Sequence, residues 1–339
     1  MLLNIQDMML PETKTLSLIL WIKRAILTSH QVQMVILRLT QGRNLSLLTL
    51  GLTECVAEHF DAQNITKYEM PQFTKALGDF TALDSVQNIE DLYELGNLIF
   101  QEVVDASSGF VDYAKLRGDL NSQWKALVNG FSRITPSSTA DHHKISFWVN
   151  AYNVSMMNYI VAEPGVSTVE GLEGGFGLFD RTIPGGIAGF SNVSLNGIEF
   201  GITRLNDQAP DGPFPNSERT NVREFRLHFA YVCGARACPK LRNFMFPNDA
   251  TKLETVLVEN TYIFFNSVYQ VRVSGSSVAT SELMRAFYPG DFAAISGSFE
   301  ALAEFVVPEC RSDKEVIKEA FKNNSFTGWE YDWTVNSSN

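Results

Sequence analysis

Residues 223–241 read Arg-Glu-Phe-Arg-Leu-His-Phe-Ala-Tyr-Val-Cys-Gly-Ala-Arg-Ala-Cys-Pro-Lys-Leu. Leu227 to Val232 has the continuous apolar and aromatic character of a buried central strand. Cys233-Gly234 breaks the run, which puts a thiol where a rigid strand meets an exposing turn. Arg236 nearby favours the thiolate, the nucleophilic form. His228 is the histidine inside the run, and a regular strand would point it and Cys233 to opposite faces. A direct Cys–His pair therefore requires a bend before Cys233. Cys238 offers a second chemistry, a reversible disulfide across the turn. A buried cysteine and a core histidine that serve packing alone are the third reading.

Upstream, Lys144 to Val161 reads as a strongly apolar helix with Phe147, Trp148, Ala151, Val154 and Met157 inward. Asn150 and Asn153 are three apart and share one face of it. Two amides on a buried face need partners, either neighbouring loop backbone or a polar pocket. The glycine-rich segment from Gly171 to Gly189 lacks a Gly-Lys-Ser/Thr ending and reads as a loop entering a hairpin, with strands near Ile187 and Val193. Ser194 to Arg204 reads as a short capped helix carrying Glu199. Before these, Asp61 to Gly130 is mostly helical: Ile89, Leu92, Leu95, Leu98 and Ile99 form a stripe, with Asp91 and Glu94 on the other side. Downstream, the expectations are a strand over Val268 to Val273, a capped helix from Ser281 to Phe287, a turn at Tyr288 to Phe292 and a helix from Ser298 to Val306. The aromatic end, Glu330 to Asn336, is expected to dock onto the body.

The 339 residues are 45% hydrophobic and 19% charged, enough for a sizeable core and unlike a disordered chain or coiled coil. A net charge of −11 argues against nucleic acid as a partner. All 24 Phe fall at Phe60 or later. Residues 1–60 therefore stand apart as a leader, a signal-like segment, an upstream extension (1–33) before a true start at Met34, or one or two amphipathic surface helices. Arg38 and Arg43 precede the leucine-rich run Leu45 to Leu52, and Cys55 and Ala57 follow it. If residues 34–57 act as a signal peptide the protein is exported, and otherwise it is cytoplasmic. Neither apolar run, Leu16 to Ile22 nor Leu45 to Leu52, reaches the ~20 residues of a spanning helix. The remaining division is an N-terminal helical region, 61–108, and a larger domain, 109–336. Cys233 and Cys238 lack the second ligand pair of a zinc site, so no metal or cofactor is expected. Cys55 and Cys310 have no recognisable local context.

Five ordered segments together resemble the domain-of-unknown-function 547 family: Phe147-Trp-Val-Asn-Ala-Tyr-Asn153, Ile198-Glu-Phe-Gly-Ile-Thr-Arg204, His228 to Pro239, Phe287-Tyr-Pro-Gly-Asp-Phe292 and Tyr331-Asp-Trp-Thr-Val-Asn336. The resemblance covers roughly residues 110–336, about two thirds of the chain. The resemblance implies an α+β fold similar to papain and transglutaminase-like proteins, helices packed on an antiparallel sheet. It implies Cys233 as nucleophile and His228 as base. Glu199, Asn150 or Asn153 would orient the imidazole or steady an oxyanion, and Arg204 would hold Glu199. Many members of the family carry histidine directly after the glutamate, where this chain has Phe200. The functional expectation is a thiol-dependent hydrolase or acyltransferase acting on a peptide, an amide or a thiol-containing small molecule. The alternatives are a thiol redox protein using Cys233 and Cys238, and a non-catalytic binding module.

Overall fold

A computed structural model describes residues 55–63, 65, 72–136, 140–203, 214–215, 217–221, 224–242, 249–287, 290–292 and 298–338. The expected leader lies outside the described residues up to position 54, as do the proposed start at Met34 and Arg204. Helix α1 (55–63) buries Val56 and Phe60, with Phe60 edge-on to Tyr262 at 5.1 Å. The packed body thus includes residues 55–60, which the sequence division had assigned to the leader.

Helices α2 (Ile89–Val103), α3 (Tyr113–Arg117), α4 (Asn121–Arg133) and α5 (Asp141–Ala162) build the first core. Asn88 caps α2 by accepting from the Asp91 amide at 2.8 Å. Leu92, Leu95 and Ile99 are fully buried along the expected stripe. Asp91 departs from the expectation of a solvent face: it is buried, paired with Lys75 and bonded to the Gln87 amide at 3.0 Å. Helix α5 is enclosed on every side, with residues 144–157 all buried, so it is the post around which the other helices pack.

A second, phenylalanine-rich core lies under the C-terminal elements. It is formed by α6 (Ala250–Asn266), β1 (Val271–Ser274), β2 (Ser277–Ser281), α7 (Phe299–Leu302), α8 (Lys314–Lys322) and β3 (Thr327–Trp329). The β1–β2 hairpin pairs Val271 with Thr280 and Ser274 with Ser277, turning at Gly275, whose φ of +60° suits a residue without Cβ. Strand β3 joins β2 in parallel, Ala279 opposite Thr327, after the α8 crossover. The fold is therefore α+β in the coarse sense. Its described sheet is small and mixed rather than the antiparallel layer expected.

The largest correction concerns Leu227 to Val232, which is not a central strand. Phe225–Phe229 forms a 3₁₀ helix, capped by the Glu224 side chain. A short apolar run cannot separate buried strand from buried helix. Here the backbone finds local partners: Ala230 and Tyr231 amides both donate to Leu227 O, at 2.9 and 3.0 Å. Leu227 belongs to the first core and Phe229 to the second, so His228 sits at the seam between them. The hairpin expected near Ile187 and Val193 reduces to one bridge, Ile187 with Phe190, and an Ile183 amide bond to Val193 O at 2.7 Å.

The expected docking of the aromatic end is seen in detail. Asn336 N donates to Gly234 O at 2.8 Å, Arg236 N to Thr334 O at 2.8 Å and Ala237 N to Asp332 O at 3.1 Å. On its other side Val169 N donates to Trp333 O at 2.9 Å. The tail is thus a short brace that fixes the 233–238 turn to the helical core.

Candidate functional site

Two polar assemblies meet on either side of residues 230–232. The first centres on His228, whose side chain is fully buried. Its Nε2 lies 3.1 Å from Asp291 Oδ2 and its Nδ1 lies 3.9 Å from Glu199 Oε1. Phe292 packs against the ring at 5.3 Å between centroids. Burial holds the imidazole below the usual histidine range, and the Asp291 hydrogen bond and charge oppose that only in part.

Glu199 is 4% exposed and sits on Gly197–Ile202, a π-helical turn of the kind often found where a side chain must be aimed. Thr203 closes this turn by donating its hydroxyl to Glu199 O at 2.7 Å, and its Oγ1 lies 3.0 Å from the Tyr231 hydroxyl. Tyr152 hydrogen-bonds the Glu199 side chain, and its ring meets Tyr231 edge-on at 4.7 Å. Burial, then the Glu199 charge, pushes the Tyr152 hydroxyl far above its ordinary range.

The second assembly is the turn. Cys233 and Cys238 form a disulfide, with Cys238 buried and Cys233 partly exposed. The Cys233 amide donates to Cys238 Sγ at 3.0 Å and the Tyr331 hydroxyl donates to the same sulfur at 3.3 Å. Tyr331 Oη also stands 3.6 Å from Cys233 Sγ. Gly234 has φ of +79°, and a Cβ there would come within 2.7 Å of Ile160 Cδ1. Only glycine lets the turn press this closely on α5. Gln270 Nε2 secures the far side, donating to Ala237 O and Cys238 O at 3.2 Å each.

Asn153 links the two assemblies. Its Nδ2 donates to Ala230 O at 2.9 Å and its Oδ1 accepts from Val232 N at 2.9 Å, bracketing Tyr231. Asn150 donates to Ser146 O in its own helix at 2.7 Å. Of the two alternatives for these amides, Asn153 thus takes the loop backbone, and neither hydrogen bond goes to the imidazole.

Of the residues singled out in the sequence, the structure brings Glu199 to His228 and leaves Cys233 elsewhere. Among the described residues the polar partners of the Cys233 sulfur are Cys238 and Tyr331, and the expected Cys233–His228 hydrogen bond is not among them. The physical reason is the 3₁₀ helix, which gives His228 Asp291 as its partner at the seam, while Asn153 pins the backbone on either side of Tyr231 before Cys233. The Arg236 guanidinium stacks over Phe110 at 5.4 Å. Asp291 and Tyr331 were not singled out for chemistry. Their place in two of the five ordered motifs, Phe287 to Phe292 and Tyr331 to Asn336, was the available signal.

Among the described residues, no group of three or more His, Cys, Asp and Glu side chains is arranged to hold a metal, and no helix is long and apolar enough to cross a membrane. Residues 136–264 match the family described as protein of unknown function, DUF547. That segment holds α5, the π-helical turn, the 3₁₀ helix and the disulfide turn, and lies inside the stretch in which the family's motifs were recognised. No curated protein and no solved structure matches the chain.

Proposed function

We propose that this protein is a thiol–disulfide exchange protein whose working pair is Cys233 and Cys238, acting on a small thiol or a peptide thiol. The observation that carries this is a half-buried Cys233 bonded across a turn to a buried Cys238 whose sulfur receives two hydrogen bonds. Exchange needs one sulfur open to an attacking thiolate and a second whose thiolate is stabilised as it leaves. Paired cysteines persist in an oxidising compartment, which fits the export alternative.

The thiol hydrolase or acyltransferase reading requires Cys233 reduced and a base beside it. In its favour stands His228 bonded to Asp291 at 3.1 Å with Glu199 at 3.9 Å on its other nitrogen; against it, the Cys233 sulfur has Cys238 and Tyr331 as its partners among the described residues. The two are separated by alkylation and mass spectrometry across a series of glutathione redox buffers. Exchange predicts that Cys233–Cys238 opens and closes within that series while Cys55–Cys310 stays closed. A pair that stays oxidised below about −300 mV would be a structural bond, and the exchange reading would be lost. Hydrolysis of a peptide or amide probe by the reduced protein, abolished in Cys233→Ser and kept in Cys238→Ser, would favour the hydrolase reading.

A further inference from the structure

Resting on the exchange reading, we propose that the Cys233–Cys238 bond has a built direction: an incoming thiolate attacks Cys233, and Cys238 leaves into a cradle made by the Tyr331 hydroxyl and the Cys233 amide. Cys238 is 6% exposed, so an attacker reaches Cys233 first. The leaving sulfur in that direction already has two donors aimed at it, at 3.0 and 3.3 Å. In the opposite direction Cys233 would leave with the Tyr331 hydroxyl, at 3.6 Å, as its one donor among the described residues. Leaving-group stability governs exchange rate, so this asymmetry selects the sulfur that is attacked.

The step balances. A thiolate RS⁻ forms an RS–S bond to Cys233 as the Cys233–Cys238 bond breaks, and the electron pair passes to Cys238 sulfur, which becomes a thiolate. A second RS⁻ attacks the sulfur of the bound RS group, giving RSSR and the Cys233 thiolate. Two thiols are oxidised and one disulfide is reduced; the two protons lost by the thiols protonate the cysteine pair or the buffer.

Tyr331 is held for this role by the brace. Asp332, Thr334 and Asn336 bind the backbone of the turn itself, so hydroxyl and sulfur keep their register. Its ring packs on Trp333 at 4.6 Å and Trp329 at 6.4 Å. Burial, reinforced by the negative field of Glu199 and Glu282, keeps the phenol protonated and thus a donor.

The test measures the glutathione equilibrium of Cys233–Cys238 in the full chain and in Tyr331→Phe, which keeps the ring and deletes the donor. The expected result is an equilibrium about tenfold less favourable to the dithiol, roughly 30 mV more reducing. A second measurement does not touch Tyr331: incubation with oxidised glutathione should load Cys233 in Cys238→Ser, with Cys238 in Cys233→Ser remaining largely unmodified. A shift under twofold in Tyr331→Phe, or equal loading of both single-cysteine variants, overturns the direction. If the wild-type pair fails to open in any glutathione buffer, the exchange reading itself is lost and this inference falls with it. An open pair that is insensitive to Tyr331 refutes this inference alone.

Discussion

The Cys55–Cys310 bond joins residues 255 apart in sequence, whereas Cys233–Cys238 joins residues five apart. In the chain-entropy view the first removes about 5 kcal/mol of unfolded-state freedom and the second about 2 kcal/mol. Their surroundings differ as well. The long-range bond ties α1 to the segment following α7, beside the Phe60–Tyr262 contact, and fastens the start of the body to its second core. The short bond closes a turn that the tail, Gln270 and α5 already hold by hydrogen bonds and packing. A cross-link that adds little to a turn already fixed is free to serve chemistry, while one that closes most of the chain is a clip.

The largest test of this contrast is Cys310→Ser, expected to cost about 4 kcal/mol in urea unfolding. A loss below 1 kcal/mol would mean that the clip does not carry the load assigned to it. Next comes Asn153→Ala, which strands the Ala230 carbonyl and the Val232 amide in the interior. It should cost about 3 kcal/mol by the same measurement. A near-neutral effect would show that the approach to the turn is held by something other than this amide. Cys238→Ser follows, with an expected loss of about 2 kcal/mol, and thus smaller than that of Cys310→Ser. An equal loss in the two variants would erase the distinction between clip and working pair.

The smallest effect is in pH dependence. The His228 imidazole is held below its unfolded range, so the native state binds fewer protons than the unfolded chain as pH falls through the mid-sixes. Its contribution to stability is present above the unfolded value near 6.5 and is lost as pH drops toward the folded value. The slope from this one group is at most about 1.4 kcal/mol per pH unit. His228→Gln should flatten the stability profile between pH 7 and 5, measured by urea unfolding at each pH. An unchanged slope would mean that the seam histidine does not titrate in this way.

Much of the helical body could be read directly. The stripe Leu92, Leu95, Ile99 and the inward positions Phe147, Trp148, Ala151, Val154 and Met157 of α5 could be read because helical packing follows a period written in nearby residues; that α5 is enclosed on every side came from the structure. The docking of Tyr331 to Asn336 was legible from its aromatic content. The Leu227 to Val232 run misled because an unbroken apolar string has no period, and the local hydrogen bonds of a 3₁₀ helix leave no mark in composition. The π-helical turn under Glu199 has the residue pattern of an ordinary short helix for the same reason.

By itself the sequence determined that Lys144 to Val161 is a strongly apolar helix, that segments resembling one family run in order, and that Cys233 stands just after an apolar segment at a glycine turn. Only the tertiary structure decided which groups face each other. Asp291 reaches His228 across 63 residues and Tyr331 reaches the Cys238 sulfur across 93. Cys55 finds Cys310 across 255. Such pairings depend on how two cores pack against a shared seam, and contacts between distant residues are set by that packing rather than by any local pattern of residue types.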